Sequence, residues 1–200
     1  MAEAIRFYFD FASPYAYFAS REIEKVAADC DRSVEWRPVL LWAVLKAHEI
    51  APPMDAPVKR DYFFKDMARS ARFYGLPYEQ PAKFPLSSHL AARLFHFIDR
   101  DDSQASITFA RRVFSTFFVE GGDISDETVM TALASDVGLS SELAKEGMKG
   151  PQGRALLESA VSEAIADGVI GSPFFIADGE KYFGADRLSH LARFLKATQK

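Results

Sequence analysis

Apolar and polar positions change period several times along the 200 residues. Ile5 to Phe11 (IRFYFDF) is a short aromatic and β-branched run, the pattern of a buried strand. After the turn Ala12-Ser13-Pro14, apolar side chains recur at helical spacing at Tyr15, Phe18, Ala19, Ile23, Val26 and Ala27. Pro14 suits the first turn of that helix, where its missing N–H would have no partner, so Ser13 falls at the N-cap. Ser33 to Pro38 (SVEWRP) reads as a second strand, and the opening predicts a β-α-β unit.

The middle predicts helices throughout. Lys59 to Tyr74 sets Tyr62, Phe63, Asp66, Met67 and Ser70 on neighbouring faces, and Gly75 and Pro77 end it. Leu90, Leu94, Phe97 and Ile98 mark the next helix, and Ile107, Ala110, Phe114 and Phe117 another, stopped by Gly121-Gly122. Ser125, with Asp126 and Glu127 behind it, signals a helix start. Pro151 to Asp167 predicts a further helix with Gly168 as its stop. Strand signals then return: Phe174-Phe175-Ile176 and Lys181-Tyr182-Phe183 flank Asp178-Gly179, a hairpin signal. A last helix carries Leu188, Leu191, Phe194 and Leu195. The order βαβ, helical block, ββα predicts an α/β fold in which both chain ends build one small sheet. Residues 1–42 with 167–200 would form that part, and 43–166 an inserted all-helical domain. No repeat, low-complexity run or linker interrupts the chain.

Composition narrows the function. A hydrophobic fraction of 48% suffices for a real core, and 18 Phe suggest a large apolar core, an apolar pocket or a buried subunit interface. A net charge of −4 argues against nucleic acid, whose phosphates need a basic surface. Cys30 is the single cysteine, so no intramolecular bridge and no CxxC pair exist. The start MAEAIRFYFDF lacks the basic and long apolar regions of a signal peptide, and no run of about 18 apolar residues predicts a membrane span. These features predict a soluble, cytoplasmic protein.

Ser13 is the sharpest candidate for chemistry. A hydroxyl at a helix N-terminus sits among unpaired backbone N–H groups and can stabilise an anion. It can equally be an N-cap and nothing more, contributing about 1 kcal/mol. Gly171-Ser172-Pro173 stands immediately before a strand, where proline is an ordinary entry residue and either peptide isomer is open. The combination of a Ser-Pro helix start after the first strand, an insertion, and X-Pro entering a ββα ending is the thioredoxin layout. In that layout the loop before the proline faces the first helix.

FYFDFASPYAYFAS (Phe7 to Ser20) and GVIGSPFFIADGEKYFGADRL (Gly168 to Leu188) resemble the 2-hydroxychromene-2-carboxylate isomerase family. They are similar also to its kin, the kappa-class glutathione transferases, within the DsbA-like group of thioredoxin folds. RPVLL (Arg37 to Leu41), APP (Ala51 to Pro53), YGLP (Tyr74 to Pro77) and EGGDISD (Glu120 to Asp126) follow in family order. The resemblance implies glutathione as cofactor, with Ser13 hydrogen-bonded to its sulfur and Pro14 and Tyr15 beside it. Ser172 would pair its backbone with the cysteinyl segment ahead of a cis-Pro173. Asp186 would contact the γ-glutamyl end, with Arg187 adjacent. Taken alone, Asp186 reads as a helix-start cap and Arg187 as a solvated charge. Lys59 reads either as a partner for the glycyl carboxylate or as a solvated charge.

Thiolate chemistry makes the Ser13 assignment physically specific. Only a thiolate attacks, and a thiol of pKa about 8.5 needs a stabilised anion at neutral pH. Ser13-Pro14-Tyr15-Ala16 puts Ser and Ala where CxxC carries its cysteines, which excludes dithiol exchange at this site. The expected activity is a glutathione-dependent isomerisation of a small aromatic or unsaturated substrate in aromatic-compound catabolism. A kappa-like transferase or peroxidase, or a non-catalytic thioredoxin-fold binding protein, are the alternatives. The resemblance also implies a homodimer, with Phe109, Phe114, Phe117 and Phe118 as interface or core.

The chain departs from the family at Trp42-Ala43, where small glycines are common, at Glu49-Ile50, which replaces Gly-Asn, and at Phe118, which replaces Trp. His89 and His96 share a helical face without an acid or thiol partner and are a poor metal pair, so no metal is expected. His48 reads as an exposed loop residue, Cys30 as structural, and Tyr62–Asp66 as an i, i+4 surface contact.

Overall fold

A computed structural model describes residues 3–198; Met1, Ala2, Gln199 and Lys200, the ends of the sheet-bearing part, lie outside the described residues. Strand β1 (Ile5–Phe9) is covered on both faces, which is why, apart from Arg6 paired with Asp167, its sequence is apolar instead of alternating. Phe7 and Phe9 face one side with Trp36 and Phe175, while Tyr8 faces the other with Phe174 and Ile176. The predicted strand runs on to Phe11, but the ladder stops at Phe9, because Asp10 begins the turn towards Ser13.

The sheet has the order β2-β1-β3-β4. Strand β2 (Val34–Pro38) is parallel to β1, β3 (Phe174–Ala177) antiparallel to β1, and β4 (Glu180–Phe183) antiparallel to β3. A parallel pair needs a crossover, supplied here by α1 (Pro14–Ser20) and α2 (Ile23–Ala28). The sequence predicts one helix across this stretch. Instead the Arg21 N–H bonds back to the Phe18 carbonyl and Glu22 to Ala19, tightening the chain so that Phe18 and Ile23 both stay buried. In the β3–β4 hairpin Asp178 and Gly179 have φ of 49° and 82°, the left-handed pair that a two-residue turn requires.

Eight further helices follow β2 in the described residues: α3 (Leu41–Ala47), α4 (Pro57–Tyr74), α5 (His89–Asp99), α6 (Ser103–Phe118), α7 (Glu127–Ser135), α8 (Ser141–Lys149), α9 (Pro151–Ala166) and α10 (Leu188–Thr198). Two of them, α3 and α8, are not foreseen. Helix α3 is seven residues long with no side-chain cap of its own, and α8 is announced only by the Ser140 N-cap. Helix α7 starts one residue later than expected, because Asp126 and not Ser125 caps the Thr128 and Val129 amides.

Helix α5 runs through the middle of the helical region, against α6, α8 and α9. One apolar cluster joins Phe7, Phe9, Phe11 and Trp36 of the sheet region to Phe95 of α5 and to Phe109, Phe114, Phe117 and Phe118 of α6. The phenylalanines that could have been a subunit interface are therefore core, each at most 1% exposed in the case of the four on α6. The Phe114 ring centre lies 5.6 Å from Phe9, 5.2 Å from Phe11, 6.1 Å from Tyr17 and 6.4 Å from Phe118. A second cluster under the other sheet face joins Tyr8, Val39, Phe174 and Ile176 to Val44 of α3 and Ala164 of α9. Helices α8 and α9 meet backbone to backbone: a Cβ on Gly153 would lie 1.8 Å from the Gly147 carbonyl oxygen. Among the described residues no helix is long and apolar enough to cross a membrane.

Phe114→Ala should lower the unfolding free energy by about 3–5 kcal/mol, since it removes a ring packed on every side; urea denaturation reads the change. Stability should also depend on His96. Its Nε2 lies 2.8 Å from the Pro38 carbonyl, and burial holds its pKa below the ordinary value. The unfolded chain therefore binds the proton more tightly, so stability is present above about pH 6.5 and declines as the pH falls below it. Burial lowers His89 in the same direction. The urea midpoint should fall on acidification, and His96→Gln, which keeps an N–H for Pro38, should flatten that slope.

Candidate active site around Ser13

The chain leaves β1 at Asp10 and enters α1 at Pro14, and Ser13 is the hinge between them. Its backbone is extended (φ −92°, ψ 114°), and its Oγ accepts the Ala16 N–H at 3.3 Å as an N-cap. The same hydroxyl donates to the Ser172 carbonyl oxygen at 3.0 Å. A serine hydroxyl has a single proton to give, so Ser13 closes the gap between the first helix and the loop ahead of β3. The Ser172–Pro173 peptide bond is cis. Ser172 is buried and its Oγ accepts the Asp10 N–H at 2.8 Å, while the Pro173 carbonyl accepts the Gly184 N–H at 3.0 Å. Gly171 is needed just ahead of them: a Cβ there would stand 2.0 Å from the Phe183 ring.

Ser13, Pro14, Ser172 and Pro173 are thus brought into one place from opposite ends of the chain. Tyr15 points elsewhere. Its hydroxyl donates to Asp66 Oδ2 at 2.6 Å and ties α1 to α4, and burial together with Asp66 pushes the Tyr15 pKa well up. The hydroxyl stays a donor. Asp66 also accepts from Tyr62 at 3.3 Å and pairs with Arg69 at 3.4 Å, so the Tyr62–Asp66 surface contact belongs to a bridge between two helices. Lys59 is exposed on the first turn of α4. Asp186 and Arg187 lie in a short 3-10 turn (Ala185–Arg187) packed against α1, exposed and paired with each other at 3.2 Å.

One member of this site has no precedent among the residues singled out from the sequence: Asp10. Its carboxylate is 7% exposed and accepts three hydrogen bonds, from Ser88 Oγ at 2.6 Å, Ala12 N at 2.8 Å and Leu41 N at 2.8 Å. Burial raises its pKa, and those three donors oppose the rise. The signal was in the sequence, because an aspartate inside an apolar strand run must find donors or not be buried. Its partners on α3 and α5 were not legible.

The segment after α3 also differs from expectation. His48 is the C-cap of α3 and half-buried, with Nε2 enclosed, not an exposed loop side chain. Glu49 has φ +57°, a left-handed conformation that glycine adopts without cost, so a glutamate loads the backbone here. Trp42 is 56% exposed on α3, one residue from Leu41, whose amide Asp10 holds. Cys30 is buried, its Sγ 3.8 Å from the Ala192 carbonyl, at the end of the crossover away from Ser13. Among the described residues no group of three His, Cys, Asp or Glu side chains could hold a metal ion.

This sheet order, the helix N-cap facing a cis-proline loop and the long helical insertion define a thioredoxin-type protein. A family model for the DsbA-like thioredoxin domain matches residues 4–196, and the chain belongs to that family. Within it, the chain is 30% identical to the 2-hydroxychromene-2-carboxylate isomerase of Sphingobium xenophagum, over 98% of this chain and 99% of that one. It is 26% identical to glutathione S-transferase kappa 2 of Caenorhabditis elegans, over 96% and 92% of the two chains. The solved structure of a 2-hydroxychromene-2-carboxylate isomerase superposes with a TM-score of 0.87 at 25% identity, covering 98% of this chain and 96% of that chain. An enzyme named as an isomerase therefore shares this fold, and relatives named as isomerases and as transferases match the sequence along nearly its whole length.

Tyr15→Phe should cost about 1.5–3 kcal/mol, the range for a hydrogen bond to a charged group, and chemical denaturation reads it. Asp66→Asn should cost less, because its amide still accepts from Tyr15.

Proposed function

We propose that this chain is a glutathione-dependent isomerase of the 2-hydroxychromene-2-carboxylate type, cytoplasmic and dimeric like the family it resembles. The observation that supports it most is the Ser13 hydroxyl, 3.0 Å from the carbonyl ahead of the cis-proline. Similarity to an isomerase over nearly the full length of both chains agrees with it. The site's donor set suits a thiol: a hydroxyl at a helix N-cap, first-turn amides, and a backbone carbonyl facing them. No protein cysteine stands there, so the sulfur must come from the ligand.

When bound, glutathione would supply a thiolate that adds to a conjugated double bond and is later eliminated, leaving a single bond free to rotate in between. With it bound, Ser13 would turn its proton from the Ser172 carbonyl to the sulfur and favour the thiolate, lowering the pH at which the thiol ionises. The Ser172 carbonyl, released by that turn, would be free to accept an N–H of the cofactor. One hydrogen bond is exchanged for two, and none of the site's polar groups is left unmet. Pro14 and Tyr15 hold the turn, with Tyr15 braced on Asp66. Asp186 and Arg187 at the rim of α1 and Lys59 on α4 are the charged groups proposed for the cofactor's two ends. The division into a sheet-bearing part (1–42 with 167–200) and an inserted helical part (43–166) is proposed on the order of strands and helices along the chain.

A kappa-like transferase or peroxidase is the second reading, favoured by the 26% identity to the nematode kappa enzyme. Consumption of glutathione separates the two, since isomerisation leaves its concentration unchanged. Ser13→Ala should lower kcat about 10²–10³-fold, the loss seen when one positioned donor to a developing anion is removed. Thiolate absorbance on titrating glutathione should saturate in wild type and vanish in the variant. Turnover that survives Ser13→Ala undiminished would remove Ser13 from the chemistry and sink both enzymatic readings of this site, whereas wild type that binds glutathione without turnover would leave a binding role.

A further inference from the structure

Asp10 touches more of the Ser13 site than any residue assigned to it. Its N–H donates to Ser172 Oγ at 2.8 Å and its carbonyl accepts the Ser13 N–H at 2.9 Å. Its side chain gathers the Ala12 amide at the entry to α1, the Leu41 amide at the first residue of α3 and the Ser88 hydroxyl at the N-cap of α5. Every one of these partners is uncharged, so no cation holds the carboxylate in place; donors alone do. Two of them, Ala12 N–H and Ser88 O–H, converge on Oδ1, and Leu41 N–H meets Oδ2.

We infer that Asp10 is a positioning residue: its ionised carboxylate locks α1, α3 and α5 into one arrangement and thereby sets the gap between the Ser13 hydroxyl and the Ser172 carbonyl. Only the ionised form presents acceptors alone at both oxygens, and protonation removes the charge that strengthens all three bonds. In an amide side chain the NH2 group faces either the Ala12 N–H or the Leu41 N–H, whichever way it is turned, and that amide is orphaned. Movement of the side chain is transmitted directly, because the Asp10 backbone is bonded to both sides of the gap. Burial, which disfavours the charged form, places the loss of this lock above the ordinary carboxylate range. The catalytic consequence rests on the glutathione reading above; the structural one does not.

The test combines amide hydrogen exchange by NMR with kinetics, on wild type, Asp10→Asn and Ser88→Ala. In wild type without ligand, protection of the Ala12 and Leu41 amides should fall as the pH is lowered through a midpoint above the usual aspartate range. In Asp10→Asn these amides should exchange about tenfold or more faster, the effect of losing a hydrogen bond to a charged group, with no titration left. Isomerase kcat should drop about 10–100-fold, as expected when reacting groups are misplaced by about 1 Å. Protection and kcat both unchanged in Asp10→Asn would overturn the proposal. Loosened amides in Asp10→Asn, with wild type showing no glutathione thiolate, would uphold the positioning role and remove the cofactor reading. A normal thiolate signal in wild type, with the amides equally protected in both, would do the reverse. If Asp10→Asn does not fold, Ser88→Ala removes one donor only and should show the same loosening at smaller size. An unchanged Ser88→Ala would then refute the lock.

Discussion

The rest of this structure depends on burying β1 on both of its faces. A strand with no wet side must find partners for every polar group at its end, and β1 ends on an aspartate. The donors that meet Asp10 come from the entry to α1, the start of α3 and the start of α5, segments far apart in the chain. The sheet core and the polar knot at its edge are therefore one arrangement. The aromatic packing of Phe9 and Phe11 on Phe95 and Phe114 brings the helices to the strand, and Asp10 sets where they stop.

Around that knot the Ser13 site needs little chemistry of its own. A single hydroxyl is shared between capping a helix and bridging to the Ser172 carbonyl. The second contact is of the sort a bound thiol would replace without leaving a buried polar atom unmet, while the cap stays in place. In a dithiol relative the position would hold an attacking sulfur. On the proposed reading the protein contributes a donor, and the sulfur is left to the ligand. That division of labour fits relatives named as isomerases and as kappa transferases, which match the sequence along nearly its whole length.

The helical insertion shapes what surrounds the site more than it builds it. Helix α4 meets α1 through Tyr15 and Asp66, and α3 presents Trp42 beside the residue that Asp10 holds. The strained backbone at Glu49 and the exposed Ile50 follow directly.

Local patterns settled much of the architecture. The apolar run of β1, the Ser-Pro start of α1, the Asp-Gly hairpin and the 3.6-residue stripes of α4 to α6 are each dictated by steric and burial rules acting over a few residues. The same rules picked out Ser13, Pro14, Ser172 and Pro173 as candidates. Tertiary contacts decided the rest. Helix α3 has no side-chain cap and forms where Asp10 receives its first amide; α1 and α2 break apart so that Phe18 and Ile23 can both be buried. The α6 phenylalanines became core because β1 lies against them, which no spacing along the helix could reveal. Asp10 itself was visible as an acid in an apolar run, but its three donors lie 2, 31 and 78 residues away. A sequence pattern reports which face a residue prefers; it holds no information about which distant donors a buried charge will meet, because that is fixed only when the chain ends close into one sheet.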